Sequence, residues 1–204
     1  GRSTSLAIAF NLWNDLMLNV KGIYFMGGVF LEVGNVTPLA EANVYGDPIA
    51  SKIVFHQAKN LFIFPLNVTN KAVLTPNVFN YIQANAKNPF HMIMKPMYDY
   101  YLSAYQKLNP SMEGPLLHDV VAISGLVNPS FFEFVHRTVN VDTYGDTKGQ
   151  TFADFRPSSI PEGGHIALEI DEQKFIQDFK FLIVQMYFTI YLVCVRVHAC
   201  VCVH

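Results

Sequence analysis

The chain has 204 residues, 51% apolar and 15% charged, with a formal charge of −2 from 14 basic and 16 acidic side chains. That length can bury a full core as one domain, and the composition is globular, which excludes a disordered chain. The near-neutral balance excludes the electrostatic footprint of a nucleic-acid polymer binder and leaves an uncharged or small anionic ligand.

Residues 3–19 carry apolar side chains at helical spacing (Leu6, Ile8, Ala9, Leu12, Trp13, Leu16, Leu18), with Ser3 or Thr4 as N-cap, and predict one helix. Ile23–Met26 reads as a short apolar strand ending at Gly27-Gly28. Asp47-Pro48 pairs a capping carboxylate with Pro at the first helical position and predicts a helix to about Ala58. Leu61–Leu66 reads as a second buried strand. Thr75-Pro76 repeats the cap signal for a helix to about Ala86. A long helix follows over Pro89–Leu108, with a kink expected at Pro96.

Asn109–Pro115 is expected as a loop, His118–Val127 as a helix and Phe132–Val141 as a strand. Thr143–Phe155 reads as a hairpin turning near Gly145 and Gly149. His165–Ile170 is expected as a strand and Asp171 as the start of a final helix. Strand–helix alternation predicts an α/β fold, a mostly parallel sheet flanked by helices. Ligands of such sheets sit beyond the carboxyl ends of the strands, where Gly27-Gly28 and Asn67-Val68-Thr69 emerge.

Residues 34–48, GNVTPLAEANVYGDP, concentrate hydrogen-bonding reach. If the segment is extended, Glu41 and Asn43 point to one side. Asn35 joins them if the Thr37-Pro38 turn folds the loop back. Amides donate and accept whereas a carboxylate accepts, a set suited to a ligand rich in hydroxyls, such as a sugar. Gly27 and Gly28 would let the backbone approach that ligand. The alternative is a capped loop whose polar groups satisfy one another. Leu117-His118-Asp119 opens the helix after the loop: a His transfers protons near neutral pH, and an Asp caps a helix or binds a cation. The alternative is an ordinary helix start with an exposed His.

In order along the chain, these pieces resemble the inosine–uridine nucleoside hydrolase family. Met26-Gly27-Gly28, Gly34-Asn35-Val36-Thr37-Pro38, Ala40-Glu41-Ala42-Asn43, Asp47-Pro48 and Ala50 look like its central signature. Leu117-His118-Asp119 looks like its His-Asp motif. Thr147-Lys148-Gly149-Gln150-Thr151 and Ala153-Asp154-Phe155 are similar to its late hairpin, where Arg is more usual at the Lys148 position. Gly1–Ala7 resembles a degraded Gly-Pro-Leu-Thr-Asn-Leu-Ala segment.

The resemblance implies a Rossmann-like nucleoside N-ribohydrolase that cuts the bond between ribose and base with water. It implies a Ca²⁺ ion that holds the ribose hydroxyls and activates the water. By motif, Asn35, Glu41 and Asn43 would bind ribose hydroxyls and Met26 would lie under the sugar. His118 would protonate the departing base, Asp119 would be a Ca²⁺ ligand, and Tyr105 would cover the base, unless it only packs with Tyr98, Tyr100 and Tyr101. The resemblance also implies dimers or tetramers.

The chain departs from the family in one large respect. No Asp-x-Asp-x-x-x-Asp-Asp cluster occurs in its 204 residues, and Asp119 alone falls short of the about six to eight oxygens that Ca²⁺ takes. The chain is therefore expected to begin in mid-fold, as a partial domain over residues 1–183, and to be a poor enzyme by itself. A truncated remnant that at most binds a ribose-like ligand is the alternative reading. Strands Ile23–Met26 and Leu61–Leu66 are expected to lack a pairing partner and to leave a sticky edge. Asn67 stands where the resemblance leads to Asp, a change expected to alter loop hydrogen bonding. Asn35-Val36-Thr37 and Asn67-Val68-Thr69 match the glycosylation acceptor pattern and are read as chance matches.

All three cysteines lie in the tail, so no disulfide framework supports the body, and a cytoplasmic protein is expected. Residues 184–204 are read as an apolar tail outside the fold. Its Phe181–Val195 run falls short of the about 20 residues of a membrane span. Within it, His198, Cys200, Cys202 and His204 alternate, so that a strand would face all four donors to one side, suited to Zn²⁺ or Cu⁺. The Val-Cys repeats are also what an alternating GT tract encodes, which leaves a read-through gene end as a second origin.

Overall fold

The computed structural model describes residues 1–86 and 91–185. The expected helix start at Pro89 and the donors His198, Cys200, Cys202 and His204 lie outside them. Contacts divide the described chain into two compact units, one of residues 1–69 with 118–170, the other of residues 70–117 with 171 onward.

The first unit opens with helix α1 (Thr4–Leu12) and the one-turn helix α2 (Asn14–Met17). The single helix expected over residues 3–19 is thus broken at Trp13, whose φ of −136° and ψ of 51° are not helical. Asn14 and Asp15 suit a first turn better than a helix interior, which is where the break puts them. The apolar stripe also differs from expectation. Leu6, Ala7, Phe10 and Met17 are buried, whereas Ile8, Leu12, Trp13 and Leu16 are exposed. Ser3 makes no side-chain cap; its hydroxyl meets the Ser51 hydroxyl at 3.2 Å.

Strand β1 (Ile23–Met26) is followed by helix α3 (Ala42–Gly46) and helix α4 (Pro48–Gln57). Asp47 caps α4 as its sequence signal predicts, accepting from the Ala50 N–H at 3.0 Å, and it also accepts the Thr4 hydroxyl at 2.5 Å. One carboxylate therefore ties the start of α1 to the start of α4, the helix it packs against. Strand β2 (Leu61–Phe64) leads into the one-turn helix α5 (Leu66–Thr69), where a continued strand and loop were expected.

After helix α8 (His118–Val127) and a 3₁₀ turn at Pro129–Phe131, the expected strand over 132–141 divides into β3 (Phe132–Arg137) and β4 (Val139–Val141). β4 pairs antiparallel with β5 (Thr151–Ala153), so the predicted hairpin exists but starts earlier than expected. Gly145 and Gly149 both adopt positive φ in its connection, as their turn role requires. β6 (Gly164–Ile170) completes the unit.

The main sheet runs β1-β2-β6-β3, with β1, β2 and β6 parallel and β3 antiparallel at the far side. The expected mostly parallel α/β sheet is present. The expectation that both early strands lack partners is corrected. β1 pairs with β2 from Ile23↔Leu61 to Met26↔Phe64, and β2 is paired on its other side by β6, which comes from the end of the unit. Among the described residues β1 remains an edge strand.

One face of this sheet (Phe25, Leu61, Ile63, Ile166) buries against α1 and α4 through Leu6, Phe10, Val54 and Phe55. Each such side chain contributes about 1.5–3 kcal/mol of burial. The other face carries α8, which lies so close that a Cβ at Gly125 would stand 2.1 Å from the Phe64 ring. Beside it a row of rings crosses all four strands. Tyr24 stacks on Phe62 at 4.7 Å, Phe62 on His165 at 4.7 Å, and His165 on His136 at 4.4 Å.

In the second unit, helices α6 (Pro76–Asn85), α7 (His91–Leu108) and α9 (Glu172–Val184) pack together. Thr75 caps α6 as predicted, and Phe79 stacks on Tyr98 of α7 at 4.1 Å. α7 continues through Pro96. No helix among the described residues is long and apolar enough to cross a membrane.

Burial and the neighbouring His136 ring push His165 below the usual imidazole range. An unfolded His165 binds a proton more readily than the folded one, so stability is complete above about pH 6.5 and falls as pH drops below it. Urea midpoints measured from pH 7.5 to 5 are expected to decline, and His165→Phe, which keeps the stack, is expected to flatten that decline.

Candidate ribose-binding site

Apart from Tyr105, the residues singled out from the sequence fall into two groups at the carboxyl ends of β1 and β2. The first follows β1. The loop folds back as expected: the Gly34 N–H donates to the Pro38 carbonyl at 2.9 Å, and the Ala40 N–H returns to the Thr37 carbonyl at 3.4 Å. Gly34 permits this, because a Cβ there would lie 2.3 Å from both the Ala40 and Thr37 carbonyl oxygens.

Glu41 and Asn43 do not lie on an extended segment. Glu41 is the N-cap of α3 and Asn43 sits in its first turn. The short polar stretch before Val44 favours a capped turn over a strand. Glu41 is 2% exposed. Its carboxylate accepts from the N–H groups of Asn43 at 2.8 Å, Gly28 at 3.0 Å and Val44 at 3.2 Å. Burial raises its pKa, and the three hydrogen bonds oppose that rise.

The Asn43 amide donates to the Met26 carbonyl at 3.1 Å and touches the Met26 sulfur at 3.4 Å. The exposed Asn35 accepts from the Ala42 N–H at 3.0 Å. Asn35, Glu41, Asn43 and Met26 thus form one connected group. Three donors leave the Glu41 carboxylate about one lone pair, and among the described residues the Asn43 side-chain oxygen and the Asn35 NH₂ have no hydrogen-bond partner. These leftovers are what a hydroxyl-rich ligand would need.

Gly27 and Gly28 also have a packing role that the sequence did not reveal. A Cβ at Gly27 would stand 2.3 Å from the Phe25 ring and 3.1 Å from Glu41, and one at Gly28 would stand 3.1 Å from Thr151. Both glycines make room for these protein side chains. Thr151 and Asn67, which sequence reasoning did not select for a site, hold the turn that follows. The Thr151 hydroxyl accepts from the Val29 N–H at 2.9 Å and donates to the Val29 carbonyl at 2.6 Å. The Asn67 amide accepts from the Phe30 N–H at 2.9 Å and donates to the Phe30 carbonyl. Its expected effect on loop hydrogen bonding is thereby given a partner. Asn67 is buried with both amide ends engaged, which also closes its acceptor motif to a glycan.

The second group follows β2. His118 opens α8, and its Nδ1 lies 2.8 Å from the hydroxyl of the fully buried Thr69. Burial lowers the His118 pKa, and the adjacent Asp119 charge pulls it back up. Asp119 itself is exposed in the first turn of α8. The described residues contain no group of three or more His, Cys, Asp or Glu side chains able to hold a metal. As a Ca²⁺ donor set, one exposed carboxylate does not fit. Tyr105 lies on α7 of the second unit and is half-buried.

The model of the inosine-uridine preferring nucleoside hydrolases matches residues 1–177. The chain belongs to this family. It is 33% identical over 178 residues to the inosine-uridine preferring nucleoside hydrolase of Crithidia fasciculata, covering 86% of this chain and 55% of that protein. It is 32% identical over 154 residues to uridine nucleosidase 1 of Arabidopsis thaliana, covering 76% of this chain and 45% of that protein. Among solved structures, the purine-preferring ribonucleoside hydrolase from Gardnerella vaginalis superposes with a TM-score of 0.83 at 27% identity, over 90% of this chain and 58% of that one. The chain thus spans about half the length of the curated relatives it matches, and it has the nucleoside hydrolase fold.

Thr151→Val would leave two buried backbone groups of Val29 unpaired. It is expected to cost about 2–4 kcal/mol in urea unfolding, whereas Thr151→Ser should retain most of the stability.

Proposed function

We propose that the chain is the ribose-binding part of a nucleoside N-ribohydrolase that hydrolyses purine or pyrimidine ribonucleosides to base and ribose. The observation that carries this reading is the pair of groups at adjacent strand ends, Asn35–Glu41–Asn43–Met26 and His118–Thr69. Family membership supports it. Residues 1–183 form the hydrolase portion.

The Asn43 oxygen and the Glu41 lone pair accept from ribose hydroxyls, the Asn35 NH₂ donates, and the Met26 side chain supports the sugar. Cleavage of the bond to the base gives the ring oxocarbenium character, which nearby carboxylate and amide oxygens stabilise. His118 transfers a proton to the departing base from the ring nitrogen that Thr69 does not hold. Asp119 would hold one position of a Ca²⁺ ion only together with oxygens that the described residues do not supply. The protein is cytoplasmic and assembles from identical subunits.

A second reading, binding of a ribose-like ligand without cleavage, is favoured by that donor set of one carboxylate. Calorimetric titration with ribose, inosine and uridine, with and without Ca²⁺, tests the common part. Saturable ribose binding weakened by Asn43→Ala is the expected result, and absence of binding by all three overturns both readings. Base release separates them. Under the first, His118→Ala lowers it by about 10²-fold or more, and the rate falls as pH rises through a His118 pKa below 6.5.

A further inference from the structure

The one-turn helix α5 touches both groups of the site. The Leu66 N–H donates to the Gly28 carbonyl at 3.0 Å, Asn67 brackets both backbone groups of Phe30, and Thr69 meets the His118 ring at 2.8 Å. The Gly28 N–H in turn donates to Glu41. Hydrogen bonds joined through the backbone of Gly28 and of α5 therefore link the Glu41 carboxylate to the imidazole.

Asn67 and Thr69 are both buried, and neither carries a charge. Packing alone would be met by Leu and Val in these places, and burying an amide and a hydroxyl is unfavourable unless their hydrogen bonds are needed. We propose that Asn67 and Thr69 are the positioning residues of this site: Asn67 fixes the turn that carries the sugar-binding group, and Thr69 fixes the plane and tautomer of His118. The proposal rests on the nucleoside reading above for its ligands, but not for its effect on the imidazole.

The Thr69 hydroxyl can donate to Nδ1, which leaves the hydrogen on Nε2, or accept from Nδ1–H, which leaves Nε2 as the basic nitrogen. Either arrangement selects one tautomer and one ring orientation. Thr69→Val keeps the shape and removes that selection, whereas Thr69→Ser keeps the hydroxyl. Asn67→Asp keeps the acceptor for the Phe30 N–H and replaces the donor to the Phe30 carbonyl with a second acceptor.

The test uses ¹⁵N spectra of the imidazoles together with calorimetric titration by ribose and by inosine on the full chain. Thr69→Val is expected to change the His118 nitrogen shifts and to weaken inosine about tenfold, the equivalent of one net hydrogen bond. Ribose should bind that variant as before, and Thr69→Ser should restore the wild-type spectrum. Asn67→Asp is expected to weaken ribose while leaving the His118 shifts in place. His118 shifts in Thr69→Val identical to wild type overturn the role of Thr69, and unaltered ribose affinity in a folded Asn67→Asp overturns the role of Asn67. If the wild-type chain binds neither ligand, the nucleoside reading fails alone, and the imidazole spectra still decide whether Thr69 positions His118.

Discussion

Six backbone groups in three consecutive residues organise this chain. The N–H groups of Gly28, Val29 and Phe30 donate to Glu41, Thr151 and Asn67, and their carbonyls accept from the Leu66 N–H, the Thr151 hydroxyl and the Asn67 amide. A buried turn away from regular structure would otherwise leave those groups unpaired, at about 1–3 kcal/mol each. The partners come from three segments: Glu41 from the start of α3, Leu66 and Asn67 from α5, and Thr151 from β5. The turn is therefore where the signature loop, α5 and the β4–β5 hairpin are joined.

The constraint explains why the surrounding residues are small or polar. Gly27 and Gly28 leave room for Phe25, Glu41 and Thr151, and Gly149 lies against Tyr45. It also explains how Glu41 can be buried. Three N–H donors compensate the lost hydration, as a carboxylate at a helix N-cap requires. The same carboxylate that caps α3 keeps some accepting capacity for a ligand, so fold and site share one side chain. A substitution at Glu41 would disturb both, which makes Asn43, whose side chain is held through its NH₂ on Met26, the cleaner probe of binding.

His118 depends on the sheet in a comparable way. α8 approaches closely because position 125 has no side chain, and this brings the start of the helix beside Thr69 at the end of β2. Half-burial lowers the imidazole's affinity for protons, and Asp119 partly restores it.

The sequence by itself determined the elements whose signals are local. The Asp47-Pro48 and Thr75-Pro76 caps, the apolar runs of β1 and β2, the start of α8 at His118 and the positive-φ glycines of the hairpin all depend on neighbours a few residues away. The motif order likewise carried the family. Only the tertiary structure decided what depends on distant partners. Trp13 broke the first helix, and the buried stripe of α1 moved to Ala7 and Phe10 because α4 and the sheet lie on that side. The segment around Glu41 became a helix cap because the 28–30 turn supplied a donor. Thr151 was indistinguishable from any hairpin threonine until it met Val29, 122 positions away. Periodicity and capping report a residue's relation to its own turn of chain; hydrogen bonds that close over a hundred residues leave no such local trace.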